Sequence, residues 1–462
     1  MDADYEGTDP MPITVDVLVV GAGSAGVAAA VAAAEEGATT LLVEASGSIG
    51  GTLSGQLLEH SAGFHDIHGN QVIAGFGQRL VERLVQEGAS PGHVRDDVGY
   101  TATRTPVNHV ELSLVEAQFL DDAGVRVWLH APLVDIQQDG EGLTRCFLET
   151  RNGRRVVQCR TVVDTSGDAV AARLAGAQVH QDAAAQQQPV SILFKLGGVG
   201  FEPLLAYARA NPDDFRAGST ISAGQDAHVN LWGFGSLLRA AHAAGELSLE
   251  RKEMHVAGWP RRSELVVNVS RYAAKMEEAD WTGVAYLQLA RQIMEFARWF
   301  RRRVPGCADA YVAAIGNQVG VRESARVVGL YTMTASDVLG GARFPDRIAR
   351  GAFPIDIHSA NQPSLSHTEQ VNVDFDIPYR TLVADGLTNM FIAGRCLSSS
   401  HEANGSLRIT ATCFATGEAA GVAAAITARQ NVHGASVPID ELQARLRARG
   451  ALIRDEMHQS VK

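Results

Sequence analysis

The stretch that decides the fold is Asp16-Val17-Leu18-Val19-Val20-Gly21-Ala22-Gly23-Ser24-Ala25-Gly26, near the start of a 462-residue chain. An apolar strand runs directly into G-x-G-x-x-G. Gly21 permits a tight turn, Gly23 lets the backbone approach a pyrophosphate, and Gly26 lets the next helix pack closely on its strand. The first N–H groups of that helix, with Ser24 and Ala25 in its opening turn, then face the phosphates. Gly37 stops the helix and Thr39 to Glu44 reads as a second strand. Glu44 ends it where a carboxylate accepts the hydroxyls of an adenosine ribose and selects against a 2′-phosphate. The βαβ unit over 15–45 predicts a Rossmann-like α/β domain with a parallel sheet and a bound adenine dinucleotide. Val15 to Ala34 carries only the charge of Asp16 and is long enough to span a membrane. Its glycines, the lack of a Lys/Arg flank and the terminal Glu35-Glu36 argue against a span.

The length suggests more than one domain. The net charge of −12 disfavours nucleic acid as a partner and no membrane association is expected. Aromatic residues are 6% of the chain, which suits closely packed helices on a sheet. Cys146, Cys159, Cys307, Cys396 and Cys413 are scattered, without C-x-x-C, and give neither a disulfide framework nor a metal or iron–sulfur motif. Met1 to Pro12 is acidic and polar, unlike a signal peptide, so the expected compartment is the cytoplasm.

Further along, Gly77–Glu87 and Asn108–Ala123 have helical spacing, Val125–Leu129 and Leu133–Gln137 read as strands, and Arg145–Leu148 with Arg155–Val163 reads as a hairpin turning at Asn152-Gly153. The middle changes texture. Ser191–Leu196 and Leu265–Ser270 alternate like strands, while Phe201–Ala210, Asn230–Gly245 and Thr282–Arg303 read as helices, the last stopped by Pro305-Gly306. We expect four segments: a dinucleotide domain over 1–186, an inserted α+β substrate domain over 187–371, the rest of the first domain over 372–432, and a tail over 433–462 whose residues Val437–Val461 form one amphipathic helix.

Three segments extend the cofactor reading. Ala45 and then Gly50-Gly51-Thr52-Leu53-Ser54-Gly55 follow Glu44 and allow close backbone approach. The run Thr161-Val162-Val163-Asp164-Thr165-Ser166-Gly167-Asp168 delivers Ser-Gly-Asp at a turn, where Asp168 also suits a helix N-cap. Asn389-Met390-Phe391-Ile392-Ala393-Gly394-Arg395 brings a buried strand to glycine, followed by His401-Glu402-Ala403-Asn404-Gly405-Ser406-Leu407-Arg408 and the small-residue helix Thr410–Ala428. With these in hand the chain resembles the two-dinucleotide-binding-motif flavoproteins of the glutathione-reductase type. It is more closely similar to the bacterial FAD-dependent oxidoreductases, distant relatives of the fumarate reductase and succinate dehydrogenase flavoprotein. Gly320-Val321-Arg322-Glu323-Ser324-Ala325-Arg326, Phe353-Pro354-Ile355-Asp356-Ile357-His358 and Ile377-Pro378-Tyr379-Arg380 carry the likeness beyond the fingerprint. The resemblance implies non-covalent FAD, held by the glycine turn, Glu44, Ala45, Gly50, Gly51, Thr52, Ser54, Val134, Ser166, Gly167, Asp168, Gly394, Arg395, Ser406 and Leu407. The wider pattern has Gly-Asp where this chain has Gly394-Arg395, which leaves Glu402 or Asp168 to take the aspartate's part.

Flavin carries hydride chemistry, and the protein supplies positioning and a proton acceptor. His401 and His358 titrate near neutrality and are the acid/base candidates, with Tyr379 as an alternative proton donor. Among the arginines, Arg322 and Arg408 are the candidates for clamping a substrate carboxylate or polarising a carbonyl. His60 and His65 follow the double glycine, without a signature for a covalent tether. The expected activity is hydride transfer between FAD and a small organic metabolite, with a further electron acceptor of unspecified kind and no metal. A flavin monooxygenase, or a flavin-fold binding protein or non-redox isomerase, are the alternatives, and an oligomer is compatible with all three.

Overall fold

The fingerprint strand is β1 (Ile13–Val20), buried over its last four residues, and it delivers the chain to α1 (Ser24–Glu35) and then to β2 (Thr40–Val43). β1 and β2 pair in parallel from Val17 opposite Thr40 to Val20 opposite Val43. β3 (Arg126–Trp128) adds in parallel beyond β2. An antiparallel meander of β4 (Leu133–Gln138), β5 (Thr144–Thr150) and the long β6 (Gly153–Asp164) then returns the chain to β1. The second half of β6 pairs in parallel with β1 on one side and with β7 (Met390–Ile392) on the other. The parallel order β3-β2-β1-β6-β7 reverses direction of growth between β1 and β6, and a doubly wound sheet opens a ligand crevice at such a point. The computed structural model describes residues 12–138, 144–183, 186–358 and 367–454.

The small-residue helix α2 (Thr410–Gln430) lies against α1 at unusually close range. A Cβ on Gly417 would fall 2.1 Å from the Ala25 carbonyl oxygen, and one on Gly421 2.1 Å from that of Ala29. The glycines bring the two backbones into contact, which aims the N-terminus of α2 at the crevice. α2 is long and apolar enough to cross a membrane, but 94% of its most apolar window is buried inside this fold.

The insertion has its own core, running from Val190 to Ala310. Its antiparallel sheet orders the strands Val229–Gly233, Met254–Trp259, Glu264–Asn268, Phe194–Gly197 and Tyr311–Ile315. Alternation splits this sheet into two faces. Val229, Leu231, Met254, Val256, Leu265, Val267, Phe194 and Leu196 join the apolar core under the helices. Asn230, Trp232, His255 and Asn268 line a cavity on the opposite face. Lys195, on that opposite face, donates to Glu59 at 2.6 Å, a buried ion pair that ties the insertion to the first unit.

The overall class is as read from the sequence, an α/β Rossmann-type unit carrying an insertion. Local readings differ in three places. The stretch 230–245 is not one helix: Val229–Gly233 is a strand and the helix is Gly235–Ala243, because Val-Asn-Leu-Trp alternates with period two. From Ala325 and Val327 onward the buried residues belong to the cores of the first unit, so the chain rejoins it well before 371. The tail helix is only Ile439–Ala448, ended by Gly450 at φ +87, and the rest of the stretch to Val461 lies largely outside the described residues, as do residues 1–11.

Candidate functional site

One cavity of about 600 Å³ runs from the glycine turn to the insertion, within the range of ligand clefts. At its nucleotide end Gly21 holds φ +99, and a Cβ there would lie 2.8 Å from Ser166 Cα and Thr165 O. A Cβ on Gly26 would meet the Gly21 carbonyl at 1.8 Å. Only glycines let β1, α1 and the end of β6 converge. α1 begins at Ser24 with no side chain capping it, which leaves its leading N–H groups to an anion from outside. Glu44 is locked by the Ala22 and Ser46 N–H groups, each donating at 2.7 Å to a different carboxylate oxygen. Each oxygen keeps a lone pair for a ribose hydroxyl. Gly21, Gly23, Ser24, Ala25, Glu44, Ala45, Gly51 and Thr52 line the cavity.

Gly50 and Ser54 do not reach the wall. The Gly50 N–H donates to Ala22 O at 2.8 Å, and the Ser54 hydroxyl donates to Ile49 O, so both shape the turn from behind. Val134 is likewise absent from the wall, which is built there from Ala131, Pro132 and Leu133, since successive strand residues point to opposite sides.

The ends of β6 and β7 supply Ser166, Gly167, Asp168, Gly394 and Arg395 to the same cavity. Arg395 Nη2 lies 2.9 Å from Asp168 Oδ1, and Ser324 Oγ donates to that oxygen at 2.6 Å. Burial alone would raise the Asp168 carboxyl, but the adjacent Arg395 guanidinium holds it below its ordinary value. Of the two acids considered for the missing Gly-Asp position, Asp168 is the one on the cavity. Glu402 is exposed and accepts from Ser400 Oγ at 3.0 Å. Ser406 and Leu407 are turned away: Ser406 Oγ donates to Phe353 O at 2.6 Å and Leu407 sits in the core. Ile409, Thr410 and Cys413, at the start of α2, take their place on the wall.

At the far end Arg322, Arg408, Asp356 and His358 converge on the cavity. Arg322 donates to the neutral Pro189 O and Ser191 Oγ at 2.9 and 3.0 Å, and has no ion pair among the described residues. Burial, and then the neighbouring Arg271 and Arg408, push it down to about 9. Arg408 donates to Asp356 O at 3.0 Å, and its Nη2 lies 3.6 Å from the Asp356 carboxylate. Burial lowers Arg408 as well. Burial works to raise Asp356, yet His358, Arg408 and Arg322 hold it well below the carboxylate range. His358 is pushed down to about 4 by burial, so it is neutral at pH 7. Arg271 donates to its Nδ1 at 2.8 Å, which places the ring proton on Nε2, 3.0 Å from Asp356 Oδ2. Both nitrogens of His358 are thereby engaged, a geometry for positioning rather than for proton transfer.

Two of the expected catalytic side chains lie elsewhere. Tyr379 is buried and donates its hydroxyl to Gly434 O at 2.5 Å; burial raises the phenol, and it does not reach the cavity. His401 also misses the wall, because it faces Glu323, whose Oε1 lies 2.7 Å from Nδ1. That hydrogen bond raises the imidazole above its usual value. Asp182, Glu323 and His401 cluster closely enough to suggest a metal site, but Arg326 donates to both carboxylates and supplies the balancing charge.

The sequence reading missed Tyr100, Asn230, Trp232, His255 and Phe353, and considered His60 only as a tether; all six line the cavity. Burial, and then Arg104, press His60 down to about 4, so its ring is in the proton-accepting form at pH 7. The period-two pattern around Trp232 was the available signal.

A family model described as "FAD dependent oxidoreductase" matches residues 16–446. Among solved structures, p-nitrophenol 4-monooxygenase PnpA from Pseudomonas putida DLL-E4 is 10% identical with a TM-score of 0.50, over 95% of this chain and 86% of that one. A geranylgeranyl bacteriochlorophyll reductase-like protein (Ta0516) from Thermoplasma acidophilum is 12% identical with a TM-score of 0.47, over 94% and 83%. No curated protein matches the chain in sequence. The uncapped helix, the glycine cradle and the locked Glu44 suit the pyrophosphate and ribose of such a cofactor, and the cavity continues past them.

Proposed function

Because the chain belongs to the FAD-dependent oxidoreductase family and its cofactor is FAD, we propose that it transfers a hydride between FAD and a small carboxylate-bearing organic substrate. Within the family we read it as related to the glutathione-reductase type, on the βαβ fingerprint and the acid ending β2. The observation that carries the substrate reading is the far end of the cavity. Arg322 and Arg408 face it with Arg271 beside His358, Asp356 is the carboxylate among them, and after burial it is Arg271 and Arg408 that depress Arg322. Arg408 Nε and Asp356 Oδ1 are moreover buried with no hydrogen-bond partner among the described residues. Guanidinium charge exceeds carboxylate charge at this end of the cavity, and Arg322 there has only neutral acceptors, which suits an anion.

Bound FAD supplies the two-electron chemistry. Arg322 and Arg408 hold the carboxylate and fix the reacting carbon. Asp356, linked to His358 and through it to Arg271, lies 3.6 Å from Arg408 and keeps that guanidinium oriented. His60, held neutral on the same cavity wall by burial and Arg104, accepts a hydrogen bond from the substrate group that gives up its proton.

The purified holoenzyme tests this. Anaerobic addition of carboxylate-bearing metabolites bleaches the flavin if the reading holds, and Arg322→Gln abolishes bleaching at matched concentrations while FAD content stays the same. Steady NAD(P)H consumption with oxygen incorporated into product would instead make it a monooxygenase. An oxidised flavin that no carboxylate-bearing compound reduces, and that none re-oxidises once it has been reduced, refutes the proposal.

A further inference from the structure

The insertion side of the cavity is walled by a continuous row of rings. His60 meets His255 edge-on, with centroids 5.3 Å apart. His255 stacks on Trp232 at 4.4 Å and 26°. Trp232 approaches Tyr100 at 5.9 Å, and Tyr100 lies parallel to Phe353 at 5.8 Å and 8°. All five rings line the cavity. The Arg216 guanidinium, 4.7 Å from the Trp232 ring, is itself paired with Glu253 and hydrogen-bonds the Tyr100 hydroxyl at 3.5 Å, so the middle of the row is held in place. From Phe353 the chain leads directly to Asp356 and His358, and so to Arg322 and Arg408. None of the rings belongs to the elements that build the nucleotide end.

We infer that the carboxylate-bearing substrate is planar and aromatic or conjugated, with its π-system along this row and its carboxylate at Arg322 and Arg408. This rests on the reading given under Proposed function and deepens it. Aromatic rings gain from offset-stacked and edge-to-face neighbours beyond what burial alone gives. Burial leaves His60 and His255 uncharged at neutral pH, so these two rings add uncharged aromatic surface to the row rather than cations. A saturated acid of the same size would satisfy the guanidiniums but not the rings.

Titration calorimetry on the FAD-loaded protein, with the visible flavin spectrum followed in parallel, decides the matter. The probes are benzoate and cinnamate against cyclohexanecarboxylate, which carries the charge and carbon count of benzoate without its π-system. The aryl acids are expected to bind about tenfold or more tightly than the saturated one and to shift the flavin bands. Trp232→Ala should remove that preference by weakening only the aryl acids, with FAD content unchanged, whereas Arg322→Gln should weaken both classes. Equal affinity for saturated and aryl acids, or an unaltered preference in Trp232→Ala, overturns the aromatic assignment and leaves the carboxylate reading standing. Binding of neither class overturns the carboxylate reading and the inference with it. Loss of FAD itself from Trp232→Ala would assign the row to the cofactor and also overturn the inference.

Discussion

Glu116 is a sensitive point of the cofactor domain, because it is wholly buried and neither of its carboxyl oxygens has a hydrogen-bond partner among the described residues. It lies under the double-glycine turn: a Cβ on Gly50 would stand 2.5 Å from its Oε2, and the Gly50 N–H in turn donates to Ala22 in the fingerprint. Burial pushes its pKa from 4.5 up to about 8. A carboxyl raised in the folded state is neutral there while it ionises in the unfolded chain, so the fold is penalised increasingly as pH climbs from 4.5 to 8 and by a constant amount above. At ~1.4 kcal/mol per pH unit the penalty is about 3 kcal/mol at pH 7 and about 5 kcal/mol above pH 8. Glu116→Leu removes both the titration and the orphaned oxygens. Its unfolding midpoint in urea, followed by circular dichroism, should exceed the parent's by a small margin at pH 5 and by a clearly larger one at pH 7 and 8. Glu116→Gln should gain less, since its amide leaves buried donors unmatched at about 1–3 kcal/mol. A difference between Glu116→Leu and the parent that is the same at pH 5 and pH 8 refutes the reasoning.

The other predictions concern packing, the anion end and the two displaced candidates. Gly417→Val must push α1 and α2 apart by about 1 Å to restore ordinary contact, at about 1–3 kcal/mol or more, and fluorescence titration should show FAD affinity falling with stability. Tyr379→Phe should leave kcat within about twofold, because its hydroxyl serves Gly434 O, while lowering the thermal midpoint by the loss of one buried hydrogen bond of about 1 kcal/mol. A large loss of kcat there would return the tyrosine to the mechanism. His401→Gln should cost stability below pH 6.5 and progressively less as pH rises through the elevated pKa of His401, since a raised imidazole stabilises the fold only while protonated; melting at pH 5.5 and 8.5 reads the sign.

How much of this was legible beforehand follows from where each signal is stored. β1, α1, β2 and the glycine turn occupy contiguous sequence, and their constraints are local: a left-handed Gly21 and a Gly26 with no room for a side chain leave few alternatives. α2 was readable for a related reason, because glycines spaced four apart only make sense against another backbone. Strand Val229–Gly233 reads as helical because the helix Gly235–Ala243 follows after a single residue, and a window spanning both lets the helix mask the period-two alternation of the short strand. The rejoining point near Ala325 was invisible for another reason. The short strands that follow draw their apolar partners from the first unit, and a sequence window does not show which core a buried valine enters.

The site itself divides along the same line. The nucleotide half is written in motifs because backbone N–H groups and glycines must fall at fixed spacing to meet a pyrophosphate, and most of the expected residues do stand on the wall. Exceptions such as Val134, Ser406 and Leu407 sit one or a few residues from positions that do, which is the error expected when a motif fixes the segment but not which face of it turns inward. The far half has no such spacing. Tyr100, Trp232, Phe353, Arg322 and Arg408 come from five separate segments of the chain and meet only through tertiary packing. An arginine reads alike in a sequence whether it joins a surface pair or, like Arg322, faces a cavity with only neutral acceptors. Residues common to the fold are therefore set locally in this chain, and those of the far half are set by the juxtaposition of the insertion with the dinucleotide sheet.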